Sequence, residues 1–201
     1  MTRSNRLKSP VTLGRRATLQ RLLAAAASGI VAISWRQSSA QNAPKGSDSL
    51  GKFTFHAEPK KVQPFAFTDN DGKELELTAF AGKLVLVNFW ATWCVPCVQE
   101  MASLDRLQAA LGAQGLMVLP LSVDGPTRKR VEPFYRDNKL AKLGIYFDDK
   151  RKAFATFDVS VLPTTVLIDR DGREIGRLEG QAEWDSPESL ALMRRFLAPS
   201  G

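Results

Sequence analysis

A nearly continuous apolar segment, residues 84–90 (Leu-Val-Leu-Val-Asn-Phe-Trp), constrains the fold of this chain more than any other feature of the sequence. A strand with apolar side chains at consecutive positions has no polar face for water, so both of its faces must be buried. An apolar helical repeat over residues 98–111 follows, and Gly112 ends it. The sequence therefore predicts a central strand in a sheet that carries helices on both sides.

Strand and helix patterns alternate along the rest of the chain. The predicted strands are 116–123, 145–147, 164–168 and 174–178, and the predicted helices are 127–139, 151–157 and a C-terminal one that begins at residues 185–188. Turn residues at 69–72 and 170–172 predict two hairpins. This order predicts an α/β fold whose central mixed β-sheet is flanked by helices. Pro120 argues against a central place for the second strand, because proline lacks the N–H donor.

The first forty residues have the pattern of an export signal. Residues 1–40 contain seven basic and no acidic side chains. Their Ala-rich run at 22–35 extends about 21 Å as a helix, short of a bilayer core of about 30 Å. The small residues 38–40 (Ser-Ser-Ala) have the pattern of a signal-peptidase site, with cleavage after Ala40. The pair Arg15-Arg16 resembles a twin-arginine signal. We expect a signal peptide that directs the protein to the periplasm by a twin-arginine-like or Sec route, or else an uncleaved membrane anchor.

The charge balance of the remaining chain excludes a nucleic-acid binder. The whole sequence carries a net charge of +7, but residues 41–201 contain 21 basic and 21 acidic side chains. A domain without net charge has no global field to attract a polyanion. We interpret residues 41–59 as a linker or extension and residues 60–199 as the folded domain.

The two cysteines, Cys94 and Cys97, lie between the predicted central strand and helix. At Cys94, free backbone N–H groups and the helix dipole stabilise a thiolate, and Cys97 lies one turn inside, close enough for a disulfide. This predicts a reversible couple in which Cys94 attacks a partner's disulfide and Cys97 resolves the mixed disulfide. A structural bridge is disfavoured, because so short a loop adds little stability.

Other functions of the cysteine pair remain as alternatives. A thiol-based Cu(I) carrier would use both thiolates as soft ligands, although no Met or His is adjacent to the pair in the sequence. A redox-inactive binding module is the second alternative. One His and two Cys cannot complete a four-ligand zinc site. We therefore expect no metal and no cofactor other than the Cys94–Cys97 disulfide.

Several further residues have both a functional and a structural interpretation. Glu100, one turn after Cys97, either takes the proton of the resolving thiol or is an exposed glutamate favoured by the helix dipole. Asn88 interrupts the apolar strand, and its structural interpretation is a polar residue that we expect to be hydrogen-bonded in the core. The bond before Pro163 is either cis, exposing backbone to a substrate, or trans at the start of a strand. His56 is predicted to be exposed and without a catalytic partner.

Residues 88–100 (Asn-Phe-Trp-Ala-Thr-Trp-Cys-Val-Pro-Cys-Val-Gln-Glu), with 162–165 (Leu-Pro-Thr-Thr) downstream, resemble the TlpA-like (TlpA/ResA-type) branch of the thioredoxin superfamily. The stretches 58–62 and 182–184 add to the resemblance, which covers residues 60–197. It implies a thioredoxin fold with an N-terminal β-hairpin extension and a central αβ insertion at about 126–148. Ala102, where the branch usually has proline, and Pro120 depart from the pattern.

The resemblance also implies roles for individual residues. Cys94 would be the attacking thiol and Cys97 the resolving one, with Glu100 assisting proton transfer. Asn88 replaces the buried Asp of thioredoxin itself, so it would have a structural or tuning role. The remaining residues would contact the substrate around the sulfurs, with Pro163 in the cis form: Trp93, Val95, Pro96, Leu162 and Pro163.

These implications predict an exported thiol:disulfide oxidoreductase that acts mainly as a reductant. By resemblance, its partners are periplasmic proteins that carry disulfides, either apo-cytochrome c or copper-centre assembly proteins of a terminal oxidase. A disulfide relay in the membrane would supply the electrons. The direction follows from the resemblance alone, because Cys-x-x-Cys proteins include strong reductants and strong oxidants.

Overall fold

Eight strands form one mixed sheet in the computed structural model, which describes residues 49–198. In chain order they are β1 (Thr54–Lys61), β2 (Ala66–Asp69), β3 (Glu74–Glu76), β4 (Leu84–Trp90), β5 (Leu116–Ser122), β6 (Tyr146–Phe147), β7 (Thr164–Ile168) and β8 (Arg173–Glu179). Their spatial order is β1-β8-β7-β4-β5-β6-β2-β3. The β4–β5 and β5–β6 pairs are parallel and the other pairs are antiparallel, which confirms the predicted mixed sheet.

Four α-helices accompany the sheet in this part of the chain: α1 (Val95–Leu111), α2 (Val131–Asp137), α3 (Lys152–Thr156) and α4 (Pro187–Leu197). The predicted helix at 127–139 is shorter than expected, because residues 125–130 form a 3-10 helix before α2. The α2–β6 segment is the predicted central insertion, and β2–β3 is the predicted hairpin. The predicted signal peptide or anchor at 1–40 lies outside the described residues. No helix within residues 49–198 has the length and apolarity to cross a membrane.

β4 is the central strand that the sequence predicts. All seven of its residues are buried, and it pairs with β5 on one side and β7 on the other. Pro120 lies within β5 opposite Asn88. The pairing of β5 with β6 begins only at Leu121, so β4 is the one strand beside β5 at the proline position. The short β6 thus explains how an interior strand contains a proline.

β1 was not predicted, because most of its side chains are exposed and its sequence shows no apolar alternation. It occupies part of the predicted linker or extension and pairs with β8 at the edge of the sheet. The prediction that His56 is exposed is wrong. Its ring is largely buried, and its Nε2 lies 2.7 Å from Glu174 Oε1 on β8. The partner is 118 residues away, so no local pattern indicates it.

Arg177 completes this ion cluster. Its Nε and Nη2 donate to the two carboxylate oxygens of Glu174 at 2.7 and 2.9 Å, and its Nη1 donates to the Phe157 carbonyl at 2.8 Å. Burial alone would raise the pKa of Glu174, but hydrogen bonds from Arg177 and His56 hold it below its ordinary value. The cluster therefore contributes stability at neutral pH that is lost as the pH falls through the lowered pKa.

We expect Arg177→Met to lower the free energy of unfolding at pH 7 by about 3 kcal/mol, because it leaves the buried Glu174 carboxylate without its main partner. Arg173→Met is the matched control on the same strand, since Arg173 pairs with Asp169 and Asp171 in an exposed turn. Its loss should remain below about 1 kcal/mol. Urea unfolding measures both variants, and equal losses would contradict a special role for the Glu174 cluster.

Candidate functional site

The two cysteines lie where β4 ends and α1 begins. Cys94 caps α1 with extended backbone, and its Sγ accepts a hydrogen bond from the Cys97 backbone N–H at 3.3 Å. The Cys94 and Cys97 sulfurs form a disulfide, and their Cα atoms are 5.3 Å apart. Pro96 occupies the first turn, where its missing N–H costs no helical hydrogen bond. The sequence-predicted position of both cysteines is confirmed.

The two sulfurs differ in their access to a partner protein. Cys94 is 7% exposed, whereas Cys97, in the first turn of α1, is fully buried. A thiolate on Cys94 would face free N–H groups at the helix N-terminus, which stabilise negative charge. The less buried of the two sulfurs is therefore the one that lies at the helix N-terminus, where a thiolate is favoured.

Large exposed apolar side chains lie directly before and after Cys94 in the chain, and a further one lies at Val161. Trp93, Val95 and Val161 are 55%, 68% and 43% exposed, which is unusual for large apolar side chains. Trp93 and Val95 are among the residues predicted to contact the substrate, whereas the sequence analysis did not single out Val161. Exposed apolar side chains of this size are typical of a protein interaction surface.

The Leu162–Pro163 peptide bond is cis, as the resemblance implies. Phe89 near the end of β4 pairs with Thr164 at the start of β7. The cis peptide therefore lies at the same edge of the sheet as the loop that carries Cys94. Leu162 is half-buried and Pro163 is buried. The structure thus brings the predicted substrate-contact residues to one edge.

Glu100 is buried, with 2% of its surface exposed, so the alternative of an exposed glutamate is excluded. Its Oε1 accepts a hydrogen bond from Asn88 Nδ2 at 2.7 Å. Its Oε2 accepts from the Ala182 backbone N–H at 3.0 Å and from Trp184 Nε1 at 2.9 Å. Burial raises the pKa of Glu100 from 4.5 to about 7, and these three hydrogen bonds limit the rise.

The sequence does not predict the contacts of Ala182 and Trp184 with Glu100. Ala182 and Trp184 follow α1 by about seventy residues in the chain, and only the stretch 182–184 in the family resemblance marked them. Trp184 N also donates to Ser103 Oγ at 3.1 Å, which fastens this loop to α1. Asn88 is hydrogen-bonded in the core as predicted, since its Nδ2 also donates to Thr165 Oγ1 at 2.9 Å. The carboxyl group of Glu100 is therefore held from β4 and from the 182–184 loop.

Comparisons with known proteins agree with this site. A model of the AhpC/TSA family matches residues 59–173. Thiol-disulfide oxidoreductase ResA of Bacillus cereus is 35% identical over 133 residues, which cover 63% of this chain and 76% of that protein. ResA of Bacillus subtilis is 32% identical over 124 residues, covering 62% of this chain and 68% of that one.

A solved structure is similar in fold as well. A putative thiol:disulfide interchange protein DsbE from Chlorobium tepidum aligns with a TM-score of 0.63 and 26% identity. The alignment covers 72% of this chain and 100% of that one. The predicted resemblance to the TlpA-like branch and the predicted thioredoxin fold are thereby confirmed.

We expect Trp184→Phe to raise the pKa of Glu100 above about 7, because it removes one N–H donor to the carboxylate and keeps an aromatic ring in the core. A carboxyl group whose pKa rises on folding stabilises the protein fully below its ordinary pKa of 4.5, and this contribution is lost as the pH rises through the folded value. In the variant, the decline in the free energy of unfolding should extend to higher pH. Urea unfolding from about pH 4 to about pH 9 measures it.

Two variants serve as controls for this shift. Trp90→Phe removes an indole N–H that is also buried but has no hydrogen-bond partner among the described residues, so the pH dependence should stay as in the wild type. Glu100→Gln should abolish the decline between pH 4.5 and about pH 7. An identical pH dependence in Trp184→Phe and the wild type would contradict the role of the indole.

Proposed function

Because this chain belongs to the AhpC/TSA family and is a thioredoxin-like thiol-disulfide oxidoreductase of the TlpA/ResA type, we propose that it acts mainly as a reductant of disulfides in exported client proteins. The observation that carries the proposed disulfide exchange is the asymmetry of the cysteine pair, and the reducing direction rests on the TlpA-like resemblance. Cys94 is accessible at the helix terminus, whereas Cys97 is buried one turn before Glu100. In such a pair, the sulfur at the helix terminus attacks the client disulfide, and the buried sulfur then resolves the mixed disulfide.

The proposed reaction begins with the dithiol form. The Cys94 thiolate attacks one sulfur of a client disulfide, the client S–S bond breaks, and the released client thiolate takes up a proton. Cys97 then gives its proton to Glu100 and attacks Cys94 Sγ, which releases the second client sulfur. The enzyme ends as the Cys94–Cys97 disulfide, and the client has gained two electrons and two protons, one proton from Cys97 through Glu100 and the other from water. The dithiol itself carries the electrons, without an added cofactor.

Glu100 suits the role of the proton acceptor. A base is most effective when its pKa lies near the working pH, and burial raises the pKa of Glu100 to about 7. Glu100 then gives this proton to the second client thiolate as that thiolate is released. Asn88 helps by donating a hydrogen bond to the same carboxylate.

The client surface is proposed to consist of the apolar residues around Cys94. Trp93 and Val95 contribute exposed side chains beside the sulfur, and Pro96 orients the first turn of α1. Leu162 and Pro163 contribute the cis peptide at the start of β7, where an extended client segment can pair with the backbone. Binding is expected to depend on apolar contacts on both sides of the client cysteine.

The proposed compartment and partners come from the sequence. The basic, acid-free residues 1–40 support export to the periplasm, with either a cleaved signal or a retained anchor. The TlpA-like resemblance supports apo-cytochrome c or copper-centre assembly proteins as clients, and a membrane disulfide relay as the electron donor. The reduction potential tests the direction: a value near about −120 mV, typical of a strong oxidant, would contradict a reductant.

We expect Cys97→Ser to hold clients as mixed disulfides on Cys94, because the thiol that resolves them is absent. Expression with the native export signal, followed by non-reducing electrophoresis and mass spectrometry, identifies these clients. Cys94→Ser is the matched control and should trap none. Trapping by Cys94→Ser but not by Cys97→Ser would reverse the assigned roles, and tight Cu(I) binding that blocks exchange would favour a copper carrier.

We expect Glu100→Gln to slow the resolving step by about tenfold to a hundredfold at pH 7, because Cys97 loses its proton acceptor. The rate plotted against pH should also lose its inflection near pH 7. Stopped-flow measurement of the decay of a preformed mixed disulfide reports this step alone. Glu58→Gln, on the exposed edge strand, is the control. A profile unchanged in Glu100→Gln would remove the proposed role.

A further inference from the structure

Asp124 is a buried acidic residue that the proposed reaction does not use. It lies two residues after the end of β5, and it is almost fully shielded from solvent. Its Oδ2 accepts hydrogen bonds from the Thr92 backbone N–H at 3.0 Å and from Ser122 Oγ at 2.8 Å. Its Oδ1 accepts from Thr127 Oγ1 at 2.8 Å and from Thr92 Oγ1. Each carboxylate oxygen is therefore bonded by two protein donors.

The sheet register explains why Asp124 meets Thr92. β4 and β5 are parallel, and Trp90 pairs with Ser122 at their carboxyl ends. The Val123 N–H donates to the Trp90 carbonyl at 2.9 Å, so the two chains remain together beyond the strands. Thr92 and Asp124 each lie two residues past this last pair. The carboxylate thus links the start of the central insertion to the loop between β4 and α1.

Thr92 directly precedes the residues that meet a client. Both of its donors, the backbone N–H and the hydroxyl, are bound to the Asp124 carboxylate. The next residue is the exposed Trp93, and then Cys94 begins α1 with its own N–H bonded to the Ala91 carbonyl at 3.1 Å. The path of residues 92–94 determines where the Cys94 sulfur lies relative to the free N–H groups of the helix. Fixing Thr92 therefore fixes the geometry on which thiolate stabilisation depends.

We propose that Asp124 is a positioning residue for the attack step, acting through Thr92 on Cys94 and Trp93. This inference rests on the proposed role of Cys94 as the attacking thiol. Thr127 is a matched comparison for Thr92, because both hydroxyls donate to Asp124 Oδ1. Its hydroxyl bonds the same carboxylate but belongs to the 3-10 helix that begins the insertion, not to the active-site loop.

A direct charge effect of Asp124 would have the opposite sign. A carboxylate near a thiol disfavours the thiolate, so removing its charge would speed alkylation of Cys94. Loss of positioning moves the sulfur away from its hydrogen-bond donors and slows alkylation. Thr92→Val removes the hydrogen bond from the Thr92 hydroxyl but leaves the Asp124 side chain in place, so this variant separates the two effects.

The experiment uses the full reduced protein and four variants: Thr92→Val, Thr92→Ser, Asp124→Asn and Thr127→Val. The rate of Cys94 alkylation by iodoacetamide at pH 7 is followed by mass spectrometry, together with kcat and KM for a peptide disulfide. We expect Thr92→Val and Asp124→Asn to slow alkylation about three- to tenfold, the rate equivalent of one ordinary hydrogen bond. Thr92→Ser keeps the hydroxyl and Thr127→Val leaves the loop anchored, so both should react within about twofold of the wild type.

The outcomes separate this inference from the proposed function. Faster alkylation in Asp124→Asn with no change in Thr92→Val would show a charge effect and overturn the inference. Equal slowing in Thr127→Val and Thr92→Val would show a general effect of stability and would overturn it too. If the wild-type label lies on Cys97 instead of Cys94, the proposed function fails as well. Thr92→Val exchanges two side chains of similar shape, so it tests the proposal even if Asp124→Asn does not fold.

Discussion

The burial of β4 on both faces is the constraint from which the rest of this structure follows. A strand that is apolar at consecutive positions must lie inside the sheet, with β5 parallel on one side and β7 antiparallel on the other. These directions bring the end of β4, the end of β5 and the start of β7 to one edge. The cysteine loop, Asp124 and the Leu162–Pro163 peptide therefore lie at the same edge of the sheet.

The same core contains a group that opposes folding. Ionising Glu100 inside the protein is unfavourable, which is why its pKa rises from 4.5 to about 7. The difference corresponds to about 3 kcal/mol of stability that is absent above pH 7 and present below pH 4.5. A surface glutamate would avoid this cost but would be almost fully ionised at neutral pH and a weaker proton acceptor. The proposed proton transfer and the stability of the fold thus place opposite demands on one residue, as is common at active sites.

Local patterns predicted most of the helices and strands and the position of the cysteines, but not β1 or the long-range contacts of Glu100 and His56. The apolar run of β4, the helical repeat of α1 and the Cys94–Cys97 spacing are each contained in a few consecutive residues, so their consequences follow from periodicity and helix termini. Trp184 meets Glu100 across 84 residues, and His56 meets Glu174 across 118. Such partners are chosen by the sheet order, which no short stretch of sequence encodes.

Asn88 shows how the strand and the acid depend on each other. Its position faces Glu100, and its amide Nδ2 donates to the Glu100 carboxylate at 2.7 Å and to Thr165 at 2.9 Å. An aspartate at this position would place a second carboxyl group beside the first, and like charges so close cannot both ionise. The amide instead favours the charged form of its neighbour and so limits the rise caused by burial. One uncharged residue in an otherwise apolar strand therefore leaves a single acid at this site, with a pKa of about 7.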